Sequence, residues 1–392
     1  MAMIGVLSSI MSFVFSGLDV LYTLFALNDL AVSPGEWSQI RAWRYALTAI
    51  IVLILGTYAG KIGQKRVAAV SIALMVVNLL AFTLWPNKWL LFVTMPLHAA
   101  FVSLVTMNIN VLVQEVPRRL QSLSNTVYRS TFTGMALFGP LLIAVFAGAD
   151  RIVMFLVFIA FLALCLPGFL YYPDRSESPP SERMTLSVMF SEWRQLLQNR
   201  HFVVYEALVT LIYSAFLANM VLGPVKLIQR LGMSDARFSM ATAAISALAM
   251  LLMLAAGIRL QQYLVGMHFL PLLACSLLTF ILGIQEHLVV STAAYIAANA
   301  LIPTTYAAVS IWTSRVVPSR QLGFSFAFHK ILIAILGFGF SVLLSGLESR
   351  IGLNATFVWM GLLGALACVL LYREMRMHRR RAIASENYPM AT

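Results

Sequence analysis

IVMFLVFIAFLALCLPGFLYY, the stretch at residues 152–172, contains no charged side chain and decides the class of fold. A helix needs about 20 mostly apolar residues to cross a lipid bilayer, and this run has that length without interruption. The rest of the chain is similar: 60% of its 392 residues are hydrophobic, 11% are charged, and the mean hydropathy is +0.86. Because soluble domains use roughly 25% charged residues, we predict an all-α integral membrane protein.

Similar apolar runs lie on both sides of this stretch, separated by short polar turns such as residues 85–88 and 347–350. Each run is long enough for one crossing, so the chain is predicted to have twelve transmembrane helices. The runs cover 3–27, 41–59, 67–86, 89–112, 122–147, 152–172, 201–224, 238–257, 266–284, 288–312, 322–346 and 353–372. Gly223-Pro224 and Pro303 are predicted to break two of them.

A polar linker follows the quoted stretch directly. Residues 173–180, PDRSESPP, are rich in proline and charge, which is typical of a connection between domains. Residues 184–198 then have the pattern of a short amphipathic helix on the cytoplasmic membrane surface. The predicted units are an N-terminal six-helix bundle at 1–172, a cytoplasmic linker at 173–200, a C-terminal six-helix bundle at 201–372 and a basic cytoplasmic tail at 373–392.

The two predicted bundles share a weak internal repeat. VPRRL at 116–120 resembles VPSRQL at 317–322, which begins 201 residues later. The same offset places Tyr128-Arg129 opposite His329-Lys330. Parallel repeats of this kind are typical of transporters that rock one half against the other around a central site. We therefore expect two pseudo-symmetric bundles.

The distribution of positive charge predicts the orientation. Most of the 27 basic residues lie in loops on one side, and cytoplasmic loops carry the excess of Lys and Arg. This predicts an inner-membrane protein with both termini in the cytoplasm, and it assigns Arg41 and Arg44 to the outer side. The net charge of +12 is scattered over loop ends. The lipid bilayer is therefore the predicted partner, and nucleic acid is not.

Residues 56–66, GTYAGKIGQKR, carry a resemblance to a known family. The loop is similar to the signature between helices 2 and 3 of the major facilitator superfamily, approximately Gly-x-Leu-Ala-Asp-Arg-x-Gly-Arg-Arg/Lys. The signature acid is replaced by Gly60, so the cytoplasmic latch that the family makes with that acid must be made differently here. The resemblance implies a loop that takes part in conformational change, formed by Gly56, Gly60, Lys61, Gly63, Lys65 and Arg66.

A second resemblance concerns the direction of transport. Gly134 and the pair Gly139-Pro140 are similar to the glycine-proline signature of exporters in the same family. The match is incomplete, and the family's usual arginine in the middle of helix 4 is absent from 89–117. Together these resemblances imply a divergent, exporter-like secondary transporter.

Two basic residues are the leading candidates for binding a substrate. Arg129 and Lys330 lie inside apolar runs at equivalent repeat positions, and ionisable groups within a membrane are costly unless they serve a function. Two cations facing one cavity favour an anionic substrate through charge-assisted hydrogen bonds. Snorkelling, or pairing with a carboxylate, is the alternative.

Further polar residues occur on the helices that the resemblance places around the cavity. The additional candidates for substrate binding are Tyr128, Asn108, Asn219, Asn299 and Tyr306, with interhelical hydrogen bonding as the alternative for each. The candidates for proton coupling are Asp19, Glu206, His98 and His329. For Asp19, a structural ion pair with Arg44 on the neighbouring helix is the alternative.

These observations predict a secondary active transporter that exports a small organic anion or carboxylate metabolite, such as a siderophore, in exchange for protons. A multidrug exporter of cationic compounds and a non-transporting membrane sensor or scaffold are the alternatives. We find no pattern that indicates catalysis, a metal site or a bound cofactor. The predicted partners are the small-molecule substrate, protons and lipid, and the protein is expected to be monomeric.

Overall fold

The structure is a computed structural model of the chain, and it describes residues 2–62, 64–114, 131–171, 186–255, 269–316 and 322–386. Within these ranges the description of several stretches is confined to the backbone. Those stretches are 2–4, 55–62, 64, 110–114, 186–189, 192, 214–215, 304–316, 322–330 and 378–386.

The described chain consists of helices joined by short turns, and no strand occurs in these ranges. In the N-terminal half the helices are α1 (Ala2–Leu24), α2 (Pro34–Ile62), α3 (Gln64–Leu84), α4 (Lys88–Gln114), α5 (Phe138–Val145) and α6 (Arg151–Tyr171). A linker helix, α7 (Leu186–Gln198), follows. In the C-terminal half they are α8 (Arg200–Val225), α9 (Asp235–Ala255), α10 (Phe269–Ile284), α11 (Leu288–Val316), α12 (Leu322–Ile351) and α13 (Leu353–Glu386).

The predicted all-α membrane fold is confirmed. Eight helical stretches of the described part are long and apolar enough to cross a membrane, and three shorter apolar helices accompany them. Their bounds lie within a few residues of the predicted runs for most helices. A helix also occupies Leu186–Gln198, as the amphipathic pattern predicted, whereas its position on a membrane surface stays a prediction.

The helix bounds differ from the predicted runs at three places. Helix α2 begins at Pro34, seven residues before the predicted run at 41–59, so Arg41 and Arg44 lie about two turns or more inside the helix instead of at its outer end. Helix α8 continues through Pro224, and α11 through Pro303, so neither proline breaks its helix as predicted. Helix α13 continues to Glu386, through the first part of the predicted basic tail at 373–392.

The helices before the linker pack mainly on one another, as do those after it. Helix α1 contacts α5 and α6, and α3 contacts α4 and α6; in the second half α13 contacts α8 and α10, while α11 contacts α9 and α10. The two groups meet chiefly where α2 packs on α12 and where α5 packs on α9. These two contacts enclose the space in which the candidate site lies. The domain limits at 173 and 200 stay a prediction.

The internal repeat extends to the details of the backbone. Helix α1 ends in a π-helical turn at Phe25–Asp29, and α8 ends in one at Lys226–Arg230, 201 residues later. In each half a residue of positive φ follows, Ala31 (47°) and Gly232 (67°). The predicted pseudo-symmetry is therefore confirmed at these positions, although the motifs at 116–120 and 317–322 that indicated it lie largely outside the described residues.

Helix α1, which carries one face of the site, is held by a backbone contact with α5. A Cβ atom at Gly139 would lie 2.3 Å from the carbonyl oxygen of Phe13 and 2.5 Å from the amide nitrogen of Gly17. Only a glycine permits such an approach. The Gly139-Pro140 pair thus positions α1 against the bundle.

We expect Gly139→Ala to lower the melting temperature of the purified protein, because the added methyl group must push α1 from α5 at a cost of about 1–3 kcal/mol. Gly346→Ala in α12 is the matched control, since a Cβ there meets nothing within 4 Å and alanine favours the helix. Equal melting temperatures for the two variants would contradict the close-approach explanation.

Candidate functional site

The centre of the candidate site is a cluster of one carboxylate and two guanidinium groups between α1 and α2. Arg41 Nη1 donates to Asp19 Oδ1 at 3.2 Å, and Arg44 Nη1 donates to the same oxygen at 2.5 Å. Arg41 Nη2 also donates to Thr23 Oγ1 at 3.2 Å. With both arginines charged and Asp19 ionised, this ion cluster carries a net charge of +1.

A tryptophan connects the ion cluster to the other half of the molecule. The guanidinium carbon of Arg41 lies 4.6 Å from the centroid of the Trp37 ring, in a cation–π arrangement. The indole N–H of Trp37 donates to the carbonyl oxygen of Val221 in α8 at 2.8 Å, and Trp37 is fully buried. Trp37 therefore contacts both Arg41 and the second half of the molecule.

The ion cluster forms part of the wall of a cavity of about 230 Å³ between the two halves. Asp19 and Arg41 line it from the first half, and the Asp19 side chain keeps 43% of its surface exposed there. Residues of α8, α9 and α11 line the opposite side, among them Met220, Thr242 and Asn299. The cavity therefore has a charged wall and a predominantly apolar wall.

Two further cavities continue along the interface between the halves. One of about 100 Å³ shares Met220 and Ile302 with the first, and one of about 340 Å³ shares Tyr45 and Ile333 with the second. The third cavity reaches Met107 in the last third of α4 and Ile331 near the beginning of α12. The three form a row that runs from the ion cluster toward the end of the molecule where the N-terminus lies.

The opposite end is closed by contacts between the halves; we call it the sealed end, and its turns are 30–33, 85–87, 146–150, 231–234 and 285–287. Arg151 pairs with Asp29 of its own half and with Asp235 of the other half. Asn28 Nδ2 donates to Asp235 Oδ1 at 2.7 Å, and Gln229 Nε2 donates to the carbonyl oxygen of Val32 at 3.1 Å. Asn28 and Gln229 are repeat equivalents, so each half donates an amide hydrogen bond to the other.

The three asparagines predicted to bind substrate lie in different surroundings. Asn299 lines the first cavity, and its amide donates to the carbonyl oxygen of Tyr295 at 2.8 Å. Asn219 is fully buried and donates to Thr279 in α10 at 2.7 Å, within its own half. Asn108 is also fully buried and donates to the carbonyl oxygen of Leu104 in its own helix at 2.7 Å. Of the three, Asn299 has the geometry of a wall residue.

Among the candidates for proton coupling whose side chains the structure describes, Asp19 is the one at the cavity. His98 lies in α4 beside the rings of Phe15 and Tyr22, with centroids 6.0 and 5.8 Å away. Glu206 is buried at 1% exposure one turn into α8. Near it, His201 Nδ1 lies 2.9 Å from Glu374 Oε1 of α13. Glu206 therefore lies near the end of α8 that begins at the linker, away from the ion cluster.

The remaining predicted residues fall where side-chain contacts are not described. Arg129, Tyr128 and Gly63 lie outside the described residues, and for Lys330, His329, Tyr306, Gly56, Gly60 and Lys61 the description is of the helical backbone alone. Their roles stay predictions. Lys65 and Arg66, which the resemblance assigns to the loop between helices 2 and 3, lie in the first turn of α3.

Arg41 is the residue of the candidate site that is absent from the predicted site residues. The charge distribution assigns it with Arg44 to the outer side, because a charge at the edge of an apolar run is read as an orientation signal. The spacing of the two arginines gives the available signal: residues three apart lie on one face of a helix. Asp19, in the preceding run, is the acid that this face meets.

This fold and this interface site define a class of protein, and the comparisons identify the family. The sequence model of the Major Facilitator Superfamily matches residues 4–335. The chain therefore belongs to the major facilitator superfamily of membrane transporters. No curated protein matches the chain.

Solved structures of transporters resemble the whole chain at low sequence identity. A mutant form of the nucleoside transporter NupG has a TM-score of 0.78 at 12% identity, covering 95% of this chain and 99% of that chain. A structure from a study of substrate recognition in proton-dependent oligopeptide transporters has a TM-score of 0.71 at 14% identity, covering 97% of this chain and 98% of that chain. A bacterial homologue of the human lysosomal transporter Spinster, in an inward-facing and unoccupied conformation, has a TM-score of 0.71 at 12% identity, covering 96% of each chain. These likenesses concern the fold.

We expect Asp19→Asn to lower the melting temperature, because it leaves two cations in the interior of the bundle without their counter-charge. The double variant Asp19→Asn with Arg44→Gln should recover part of the loss, since it removes one of the unpaired cations. Glu36→Gln is the control: Glu36 pairs with Lys88 at 3.3 Å, but both side chains are more than one-third exposed, and such pairs contribute little. If the loss of melting temperature in the double variant equalled the sum of the losses in the two single variants, the interaction between Asp19 and Arg44 would be contradicted.

Proposed function

We propose that the protein is a proton-coupled secondary transporter that exports a small organic anion or carboxylate metabolite. The observation that carries this proposal is the ion cluster, in which one carboxylate faces two guanidinium groups at a cavity between the halves. Charges inside a membrane protein are paired unless they serve a function. The surplus positive charge is complementary to an anion.

The chemistry of Arg41 supports a carboxylate as the bound group. Its guanidinium presents several N–H donors in a fixed plane, which suits bidentate contact with a carboxylate. Its Nε is buried and has no acceptor among the described protein atoms. A carboxylate in the cavity would balance the charge of the cluster.

The row of cavities supports a route for the substrate. With the predicted cytoplasmic termini, the sealed end is the outer end, and the row leads from the ion cluster toward the cytoplasm. Ile331 of the third cavity follows Lys330 in the sequence, so Lys330 remains a candidate for guiding an anion along this route, and Arg129 is its repeat equivalent. Alternating access would then require the contacts of the sealed end to open.

Export is supported by the resemblance of Gly134 and Gly139-Pro140 to the exporter signature and by the close contact of Gly139 with α1. A siderophore of the carboxylate type is one cargo of this class. Proton coupling is assigned to Asp19, because among the acids proposed for coupling it is the one at the cavity.

A second candidate is movement of the anion and the proton in the same direction. Arg41 and Arg44 bind the same oxygen of Asp19, so an anion that takes over both guanidinium groups leaves that carboxylate without its cations. A proton would then neutralise Asp19 while the anion is bound. In an antiporter, by contrast, the proton and the substrate compete for one state of the site.

The multidrug alternative is less compatible with the site. A cationic drug needs a free carboxylate, whereas Asp19 is already bound by two guanidinium groups. A membrane sensor or scaffold has no use for a charged cavity between two pseudo-symmetric halves.

We expect Arg41→Gln to reduce anion transport at least tenfold in proteoliposomes, because one good charge-assisted hydrogen bond contributes about 1.5–3 kcal/mol. The measurement is uptake from a radiolabelled panel of carboxylates, nucleosides and cationic dyes. Arg350→Gln is the control, since Arg350 is exposed in the last turn of α12. Selective transport of a cationic dye that depends on Asp19 would overturn the anion proposal in favour of multidrug export.

We expect an imposed pH gradient to drive the same flux, and Asp19→Asn to remove the response to the gradient while downhill movement persists. An inside-acidic gradient should accelerate uptake if the proton and the anion exchange, and an outside-acidic gradient should accelerate it if they move together. Glu206→Gln is the comparison, because Glu206 lies away from the ion cluster. Substrate movement that ignores gradients of both signs would exclude proton coupling.

A further inference from the structure

The repeat allows the two walls of the first cavity to be compared position by position. Adding 201 to the number of a residue in α1 or α2 gives its equivalent in α8 or α9, as the matching π-helical turns establish. Asp19 corresponds to Met220, Arg41 to Thr242 and Arg44 to Ile245. Asp19, Met220, Arg41, Thr242 and Ile245 all line the cavity. The two walls are thus built from equivalent positions.

The chemistry of these equivalent positions is opposite. The first half presents all three charges, whereas the second presents a thioether, an isoleucine and a threonine. The hydroxyl of Thr242 donates to the carbonyl oxygen of Phe238 in its own helix at 3.0 Å, so it is already engaged as a donor. Met220 keeps 40% of its surface exposed, and Ile302 adds a further apolar side chain to this wall.

We propose that the substrate is an amphiphilic monoanion, with one carboxylate at Arg41 of the ion cluster and an apolar body against Met220, Ile245 and Ile302. The inference deepens the proposed function and rests on it for the anion. The ion cluster has one surplus positive charge, which one carboxylate neutralises. Additional carboxylates of a polyanion would face a wall whose lining residues carry no positive charge, and burying a charge in that way is costly.

The single surplus charge of the ion cluster also narrows the class of compound that fits the cavity. A tricarboxylate of the citrate type offers three negative charges, two more than the surplus positive charge of the ion cluster, and it has no apolar surface to place against Met220 and Ile245. A monocarboxylic acid that carries an aromatic or branched hydrocarbon group uses both walls. Such compounds belong to the class of hydrophobic weak acids.

The test is isothermal titration calorimetry of the full-length protein in lipid nanodiscs with four probes of related structure. The probes are 4-phenylbutyrate, butyrate, citrate and 4-phenylbutylamine. Butyrate keeps the carboxylate and lacks the ring, and the amine keeps the ring and reverses the charge. We expect 4-phenylbutyrate to bind at least tenfold more tightly than each of the others, since burying a phenyl-sized group on the apolar wall is worth about that factor.

Two variants assign the two parts of the probe to the two walls. Arg41→Gln should weaken 4-phenylbutyrate at least tenfold. Ile245→Thr should weaken 4-phenylbutyrate several-fold and leave butyrate within about twofold, because it removes apolar contact alone. Met377→Gln, at the far end of α13, is the control for loss of an apolar side chain. If Arg41→Gln fails to fold, the probe series on the unmodified protein and Ile245→Thr still decide the question.

The outcomes separate the two proposals. Tighter binding of citrate, or equal binding of butyrate and 4-phenylbutyrate, would overturn the amphiphile and leave the anion proposal intact. Preference for 4-phenylbutylamine would overturn both. Absence of 4-phenylbutyrate binding at millimolar concentration, in protein that retains its melting temperature, would also overturn the amphiphile.

Discussion

The rest of the structure depends on the neutralisation of two arginines in the bundle by one carboxylate. On one face of α2, Arg41 is buried and Arg44 is half-buried, and Asp19 is the acid that both contact. Removing one partner from a buried pair leaves a charge that the interior cannot solvate. The position of α1 relative to α2 is therefore fixed by charge as well as by packing.

Several other features hold this cluster in place. Gly139 lets α5 approach the backbone of α1, which carries Asp19, and the hydroxyl of Thr23 in the same helix accepts from Arg41. Trp37 stacks on Arg41 and donates its N–H to Val221 of the second half. A change of charge at the cavity thus acts on the same side chains that join the two halves, which is the coupling that a rocking transporter needs.

Much of the fold can be predicted from the sequence, because apolar runs of bilayer length have few alternatives. The limits of that reasoning are visible at α2. A hydropathy pattern places Arg41 at the outer edge of a predicted helix, since it scores the charge without its partner, and the partner lies in another helix. Asn219 shows the opposite error: an amide in an apolar helix suggests a cavity, but its hydrogen bond to Thr279 satisfies it within its own half. Pairing across helices decides both cases, and a linear pattern does not contain it.

The repeat separates what both halves need from what one half does. The π-helical turns, the positive φ values and the crossing amides of Asn28 and Gln229 recur at an offset of 201, because both halves must close the same end. The cavity wall does not recur: Asp19 and Arg41 face Met220 and Thr242 from equivalent positions. Rocking about a pseudo-two-fold axis requires equivalent backbones, whereas recognition of an asymmetric cargo requires unlike walls. The chain combines the two features: the backbone geometry is duplicated, and the charged residues that line this cavity, Asp19 and Arg41, belong to the first half.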